Sequence, residues 1–145
     1  MKKNKGFTLI ELMVTIVVLA IIAMMAAPSF GTMLTNQNLN RSVQELVGVF
    51  NTARSKAIIE RRIVTVHLQT INIASLSNNT ADTFYWMPQG DATLTTSTTQ
   101  LTYQLTGGVS ADTVFTICGG DSPSRSKTIT VSKTGTVQLV QEGAC

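Results

Sequence analysis

The sequence is poor in the side chains that most catalytic and metal sites need. Among 145 residues there is one histidine, one tryptophan and two cysteines. A single histidine excludes a zinc site built on two histidines of one chain. The sequence also lacks a Gly-x-x-x-x-Gly-Lys-Ser/Thr phosphate loop, a Gly-x-Ser-x-Gly elbow and a His-Glu-x-x-His motif. It therefore predicts no catalytic residue, no bound metal and no cofactor.

Charged residues are scarce as well. They make up 13% of the chain, about half the usual fraction, which excludes long charged tails and a charge-rich disordered chain. The 11 basic and 8 acidic residues give a net charge of +3. Taken alone, that sign favours nucleic acid or an anionic membrane surface as a partner. The length allows one small domain with an appendage.

One long apolar segment dominates the amino-terminal end. Residues 1 to 6 contain three lysines, and residues 7 to 27 are apolar apart from Glu11 and two threonines. As an α-helix, this segment spans about 32 Å, enough to cross a hydrocarbon core of ~30 Å. The lysines orient the amino end to the cytoplasm. A cleaved secretory signal fits less well, because the run is too long and residues 20 to 28 lack an Ala-x-Ala site.

Residues 5 to 12, with the sequence KGFTLIEL, resemble the prepilin signature of type IV pilins and of the pseudopilins of type II secretion. The resemblance implies that prepilin peptidase cleaves between Gly6 and Phe7, removes the leader 1–6 and methylates the new amino group of Phe7. It also implies that Glu11 neutralises the amino terminus of a neighbouring subunit during filament assembly. Such a pair would offset the cost of about 3 kcal/mol for a carboxylate in a membrane helix.

Cleavage at this position changes the charge of the chain. The leader contains Lys2, Lys3 and Lys5, so the mature protein keeps 8 basic and 8 acidic side chains, a net of zero. The basicity of the sequence therefore belongs to the leader, which weakens the argument for nucleic acid.

After residue 27 the sequence predicts a second helical stretch. Pro28 removes a backbone hydrogen bond and disfavours α geometry at the residue before it, so a helix kink is expected there. From 29 to about 60, apolar residues recur at three- and four-residue steps, as on one face of a helix. The predicted apolar face consists of Val43, Leu46, Val47, Phe50, Ala53, Ala57 and Ile58, and the polar face carries two i,i+4 ion pairs, Arg41 with Glu45 and Lys56 with Glu60.

The remaining sequence alternates apolar and polar residues, as β-strands do. Strands are predicted at 64–69, 83–87, 101–106 and 114–118, a terminal hairpin at 129–140, and loops at 75–80 and 91–100. The fold class is therefore α+β and pilin-like: a long amino-terminal helix packed on an antiparallel β-sheet domain. The predicted organisation is a leader at 1–6, a transmembrane and filament-core helix at 7–27, and a periplasmic domain at 28–145.

Two cysteines in an exported domain favour a disulfide between Cys118 and Cys145. The closed loop of about 28 residues would stabilise the fold by ~3.5 kcal/mol in the chain-entropy description. Two free thiols remain the alternative. A redox or metal pair lacks the Cys-x-x-Cys spacing.

In its layout the whole chain resembles the GspH/FimT family. Residues 51 to 58, NTARSKAI, resemble the family's Ala-Arg-Ser-Glu-Ala segment, with Lys56 where an acid is usual. The resemblance implies a minor pilin, a non-enzymatic subunit of the complex that primes type IV pilus assembly and caps the pilus tip. The alternative is an H-type pseudopilin of the type II secretion system.

The same resemblance implies partners and a location. The partners are other minor pilins or pseudopilins, the major pilin, prepilin peptidase, and the assembly platform proteins of the inner membrane. The chain would cross the inner membrane once, with its amino end in the cytoplasm and its domain in the periplasm, before it moves to the tip of a pilus or pseudopilus.

A second alternative is DNA uptake, because one branch of the family binds DNA through a Gly-Arg-x-Arg motif. The aligned residues 135 to 138, GTVQ, lack both arginines. Arg125, Lys127 and Lys133 are the cations left for DNA, and three acids offset them from residue 107 onward. DNA affinity depends on neutralising phosphates, so this part of the chain offers little.

One basic cluster lies at the predicted end of the helix: Arg54, Lys56, Arg61 and Arg62. Two interpretations are open. It is either a solvated helix end, where cations suit the helix dipole, or a docking surface for a partner.

Overall fold

The computed structural model describes residues 7–69, 71, 79–120 and 125–145, without the side chains of 25–29, 139 and 140. The predicted leader, with Gly6, and most of the predicted loop 75–80 therefore lie outside the described residues. The elements are α1 (Leu9–Glu60), β1 (Val64–Leu68), β2 (Thr83–Trp86), β3 (Ala92–Leu94), β4 (Gln100–Tyr103), β5 (Thr113–Gly119), β6 (Arg125–Val131) and β7 (Val137–Ala144).

The chain divides into two compact units, Met1–Leu34 and Thr35–Cys145. In the first, the large apolar side chains between Phe7 and Met24 are 49% to 81% exposed. In the part of the chain that the structure describes, no helix is both long enough and apolar enough to cross a membrane. The membrane-spanning segment 7–27 and the kink at Pro28, where the backbone is helical, stay predictions.

The second unit contains two β-sheets, with strand orders β2-β1-β4 and β3-β5-β6-β7. All strand pairs are antiparallel except β1 with β2, which are parallel with Val66 opposite Phe84. A parallel pair needs a long connection, and the chain between Leu68 and Thr83 is long enough for one. The α+β prediction, a long helix packed on antiparallel sheet, is confirmed.

The end of α1 in this unit packs against both sheets. Phe50 is fully buried, with its ring centroid 6.5 Å from that of Tyr103 in β4 and 5.2 Å from that of Phe115 in β5. The predicted apolar face is buried or half-buried along its length, and Leu39 extends it by one turn. Ile58 is the exception. It was predicted on this face, but it is 43% exposed, at a position only two residues before the helix ends.

The segment predicted as a loop at 91–100 contains a short strand, β3, which pairs with β5 and buries Ala92 and Leu94. The prediction failed because a strand of three residues is too short to show a period of two, and pairing with β5 determines the conformation.

A polar face of α1 holds the turn before β3 in place. The Gln89 backbone N–H donates to Ser42 Oγ at 2.8 Å, and the Gln89 side chain donates to Glu45 at 2.9 Å. Asp91 accepts hydrogen bonds from Thr35 Oγ1 at 2.9 Å and from Asn38 Nδ2 at 3.0 Å. The four helix residues are spaced three, four and three apart, so they lie on one side of the helix.

Candidate functional site: assembly surfaces

The amino-terminal end of α1 is built as a capping box. The Glu11 backbone N–H donates to Thr8 Oγ1 at 3.3 Å, and the Thr8 backbone N–H donates to a Glu11 carboxylate oxygen at 3.5 Å. The exchange satisfies two backbone donors that the helix leaves unpaired, and it places a negative charge at the positive end of the helix dipole. Sequence reasoning missed this second role of Glu11, although Thr-x-x-Glu before an apolar run is its signature.

Glu11 stands among exposed apolar side chains. Phe7, Leu9 and Ile10 are each at least 70% exposed. A helix that is apolar all round normally lies in a protein core or a membrane. None of these three side chains is buried by the described part of the chain.

The basic cluster at the other end of α1 is partly neutralised. Glu60 accepts ion pairs from Arg62 at 3.0 Å and from Lys56 at 3.9 Å. Arg54 Nε donates to the Gly107 carbonyl at 3.2 Å. The predicted pair of Arg41 and Glu45 forms at 2.9 Å. Both i,i+4 pairs predicted from the sequence are therefore confirmed.

Cys118 and Cys145 form a disulfide, with Cα atoms 6.1 Å apart. Cys118 lies in β5, and Cys145 follows β7, the last strand of the same sheet. The strand between them is β6, where Ser126 pairs with both Cys118 and Gly143. The bridge therefore ties the carboxyl-terminal residue across β6 to β5.

The residues predicted for DNA binding are not brought together. Arg125 and Lys127 stand at the start of β6, and Lys133 follows its end. Seven residues of strand span about 20 Å. Lys127 is bound to Glu142 at 3.0 Å, and this hydrogen bond and charge lower the pKa of the Glu142 carboxyl. Arg125 and Lys127 thus form a pair of cations at one end of β6, and Glu142 neutralises the charge of Lys127.

Two buried polar atoms in the described residues have no hydrogen-bond partner: Trp86 Nε1 and Tyr103 Oη. Burial raises the pKa of the Tyr103 hydroxyl well above its usual value. Both side chains belong to the main core. Within the described ranges, no three His, Cys, Asp or Glu side chains are grouped as a metal site would require.

Comparison with known proteins identifies the family. The profile of the type II transport protein GspH matches residues 42–135, almost two thirds of the chain. The chain belongs to the type II transport protein GspH family. The prokaryotic N-terminal methylation motif matches residues 1–27. Both matches confirm the resemblance inferred from KGFTLIEL and from the layout of the domain.

The individual relatives of this GspH-family chain come from Pseudomonas aeruginosa. A type II secretion system protein H is 28% identical over 108 residues, which cover 74% of this chain and 62% of that protein. A fimbrial protein is 40% identical over 60 residues, 41% of this chain and 38% of that protein. The chain thus spans less than two thirds of either relative. The crystal structure of the type IV minor pilin FimU has a TM-score of 0.49 and 18% identity, covering 72% of this chain and 89% of that one.

Proposed function

We propose that the chain is a minor pilin, a non-enzymatic filament subunit that acts in the priming and tip complex of a type IV pilus. One observation carries the proposal: a methylation motif heads a helix whose apolar side chains are exposed on all sides, joined to a separately packed domain. Such a helix needs a membrane before assembly and other helices afterwards. The anchor at 7–27, the cleavage after Gly6 and the methylation of Phe7 are parts of this proposal.

In this mechanism Glu11 performs two tasks in sequence. Its carboxylate first caps its own helix with Thr8, and it is then available to the new amino group of Phe7 of a neighbouring subunit. The two hydrogen bonds that the carboxylate accepts from Thr8 are 3.5 Å long and exposed, so they compete weakly with a charged amine. An ion pair between subunits fixes the axial register of the helices, because a carboxylate in an apolar bundle is stable only opposite a cation.

A second candidate is an H-type pseudopilin of the type II secretion system. It is favoured by the GspH-family membership and by the 28% identity to a secretion protein H over 74% of this chain. The two candidates share the same chemistry at Phe7 and Glu11. They differ in the system that loses function when the gene is deleted: pilus-dependent motility in one case, and release of folded enzymes into the medium in the other.

The proposal is tested by replacing Glu11→Gln in the full chain. We expect the variant to be processed and to fold, but its amount in sheared filaments to fall about tenfold or more, because an uncharged amide cannot neutralise an amine. Mass spectrometry of the wild type should show loss of residues 1–6 and gain of one methyl group. Glu142→Gln, which removes a carboxylate from the domain, is the matched control and should assemble normally. Normal assembly of the Glu11→Gln variant would refute the proposal.

A further inference from the structure

The carboxyl-terminal end of α1 carries an exposed apolar cluster with a positive rim. Six large apolar side chains are exposed in the described part of the second unit, and four of them lie here. Ile58, Ile59, Ile63 and Leu105 are 43%, 79%, 50% and 49% exposed. We define the helix-end surface as these four residues together with Arg54, Arg61 and Arg62.

Contacts join one side of the helix end to a neighbouring turn. Ile58 Cδ1 and Arg54 Cγ both lie over Gly107, where an added Cβ would meet them at 2.5 Å and 3.3 Å. Gly107 and Leu105 belong to the same turn, which is closed by a hydrogen bond from Gly107 N–H to the Gln104 carbonyl at 2.7 Å. Ile58, Arg54 and the turn that contains Leu105 therefore lie together at one end of the domain.

Arg61 is held in an unfavourable conformation at the centre of this end. Its φ is 48°, and it is the one non-glycine residue with positive φ in the part of the chain that the structure describes. The Arg62 N–H donates to the Ala57 carbonyl at 3.3 Å, which closes the helix as glycine-terminated helices are closed. Glycine is the residue that fits this position, and an arginine there costs stability. No ion pair or side-chain hydrogen bond to described residues compensates Arg61.

We propose that the helix-end surface docks an acidic, apolar-centred surface of another protein subunit of the filament; this rests on the proposed function. Residues 54 to 63 contain four cations and one acid, a local charge of +3 in a mature chain whose side chains sum to zero. Apolar side chains at the centre with arginines at the edge are the composition of a protein interface. Carboxylates on the partner would pair with Arg61 and Arg62.

The composition distinguishes this partner from other candidates. A second copy docked through the same surface would set the same arginines against each other, which costs free energy. A DNA site needs phosphate-binding cations and polar groups more than four exposed aliphatic side chains. A membrane-surface site is typically a long amphipathic helix with aromatic residues on its apolar face, and here the exposed apolar residues are isoleucine and leucine at a helix end.

The test places a photo-crosslinking residue on the surface of the full chain. Ile59→benzoylphenylalanine is expressed in cells that assemble the filament, and the adducts in sheared filaments are sequenced. We expect an adduct with a different filament subunit, linked through a peptide that contains acidic and apolar residues. Arg61→Glu in the same chain should lower the adduct yield about tenfold, since it reverses a charge at the interface. Arg125→Glu, the same change at a distant exposed site, should leave the yield unchanged.

A second variant separates docking from folding. Arg61→Gly should leave Tm unchanged or raise it, because glycine relieves the positive φ, and should still lower the adduct yield. If Arg61 serves only as a cation at the helix end, the same variant would lower Tm and leave the adduct intact, which overturns the inference.

The outcomes also separate this inference from the proposed function. Absence of the wild-type chain from filaments overturns both. Presence in filaments with no adduct at position 59, or with an adduct that Arg61→Glu does not weaken, overturns the docking surface alone. Three other adducts would also overturn the docking surface. An adduct of phospholipid mass would identify the membrane as the partner, a nuclease-sensitive adduct would identify DNA, and an adduct between two copies of the chain would identify self-association.

Discussion

Single residues on the polar face of α1 determine how the turn before β3 is held. Asp91 accepts one hydrogen bond from Asn38 and one from Thr35, and these bonds, with Asn38 the larger cause, lower the pKa of the Asp91 carboxyl. The ionised form is therefore the one that the fold favours. The sequence did not predict that Thr35, Asn38, Ser42 and Glu45 would bind one turn, because nothing local indicates which segment lies beside this face.

Asp91→Ala is predicted to destabilise the domain by about 1–2 kcal/mol at pH 7, the usual value for two hydrogen bonds. A carboxyl with a lowered folded-state pKa stabilises the fold above its unfolded pKa, near 4, and this contribution is lost as the pH falls through the folded value. Unfolding of the full chain in a zwitterionic detergent should therefore show the two proteins converging below about pH 4.

The matched control for Asp91 is Asn38→Ala, alone and combined with Asp91→Ala. The double variant should be less destabilised than the sum of the single ones, because both changes remove the same hydrogen bond. A difference between wild type and Asp91→Ala that is as large at pH 3 as at pH 7 would show that the carboxylate charge is not involved.

At the scale of elements, a glycine in a turn and a glycine in the long helix differ in whether a side chain would fit. Gly135, in the turn between β6 and β7, has φ +78°, and an added Cβ would lie 1.8 Å from the Gly107 carbonyl oxygen. Gly48, inside α1, has no heavy atom within 4 Å of such a Cβ. Replacement by alanine is therefore sterically excluded at Gly135 and meets no steric obstacle at Gly48.

Gly135→Ala is predicted to cost at least about 2 kcal/mol, because both the positive φ and the contact with a backbone oxygen oppose a side chain. Gly48→Ala should instead stabilise the fold by about 0.5–1 kcal/mol, the difference in helix propensity. Denaturant unfolding of both variants checks the pair. Destabilisation by Gly48→Ala would mean that the helix is packed there against something outside the chain.

In the molecule as a whole, one hydrophobic core contacts both sheets. The disulfide links β5 to the residue that follows β7, within the second sheet. Phe50 contacts both sheets, so helix and sheets should unfold together. The buried residues of this core run from Leu39 to Val131, within the second unit. Stability of the second unit therefore depends on its own residues.

Replacing both cysteines, Cys118→Ser with Cys145→Ser, is predicted to lower the free energy of unfolding by about 2–3.5 kcal/mol. The bridge joins residues 27 apart, and its loss increases the entropy of the unfolded chain. Thermal unfolding with and without reductant measures the effect. Reductant should lower Tm of the wild type and leave the double variant unchanged; equal Tm values for all four samples would contradict a stabilising bridge.

Features that depend on local chemistry could be predicted from the sequence alone. Period-2 and period-3.6 patterns gave most strands and the helix to residue 60, spacing gave the pairs of Arg41 with Glu45 and Lys56 with Glu60, and two cysteines gave the bridge. KGFTLIEL indicated a pilin-like protein, because that signature is read from adjacent residues, and the order of the elements indicated the GspH/FimT family. These signals can be read from the sequence without knowing which residues each segment contacts.

Features that depend on contacts between distant segments could be seen only in the tertiary structure. The parallel pairing of β1 with β2 and the strand β3 follow from pairing across the sheets. The exposure of Ile58, which lies on the predicted apolar face, depends on how the last helical turn packs. The sequence pattern also does not predict the left-handed conformation of Arg61, because φ there depends on how the chain turns from α1 into β1. The exposure of the apolar residues around Arg61 is not predicted either, because it depends on which surfaces the rest of the fold covers.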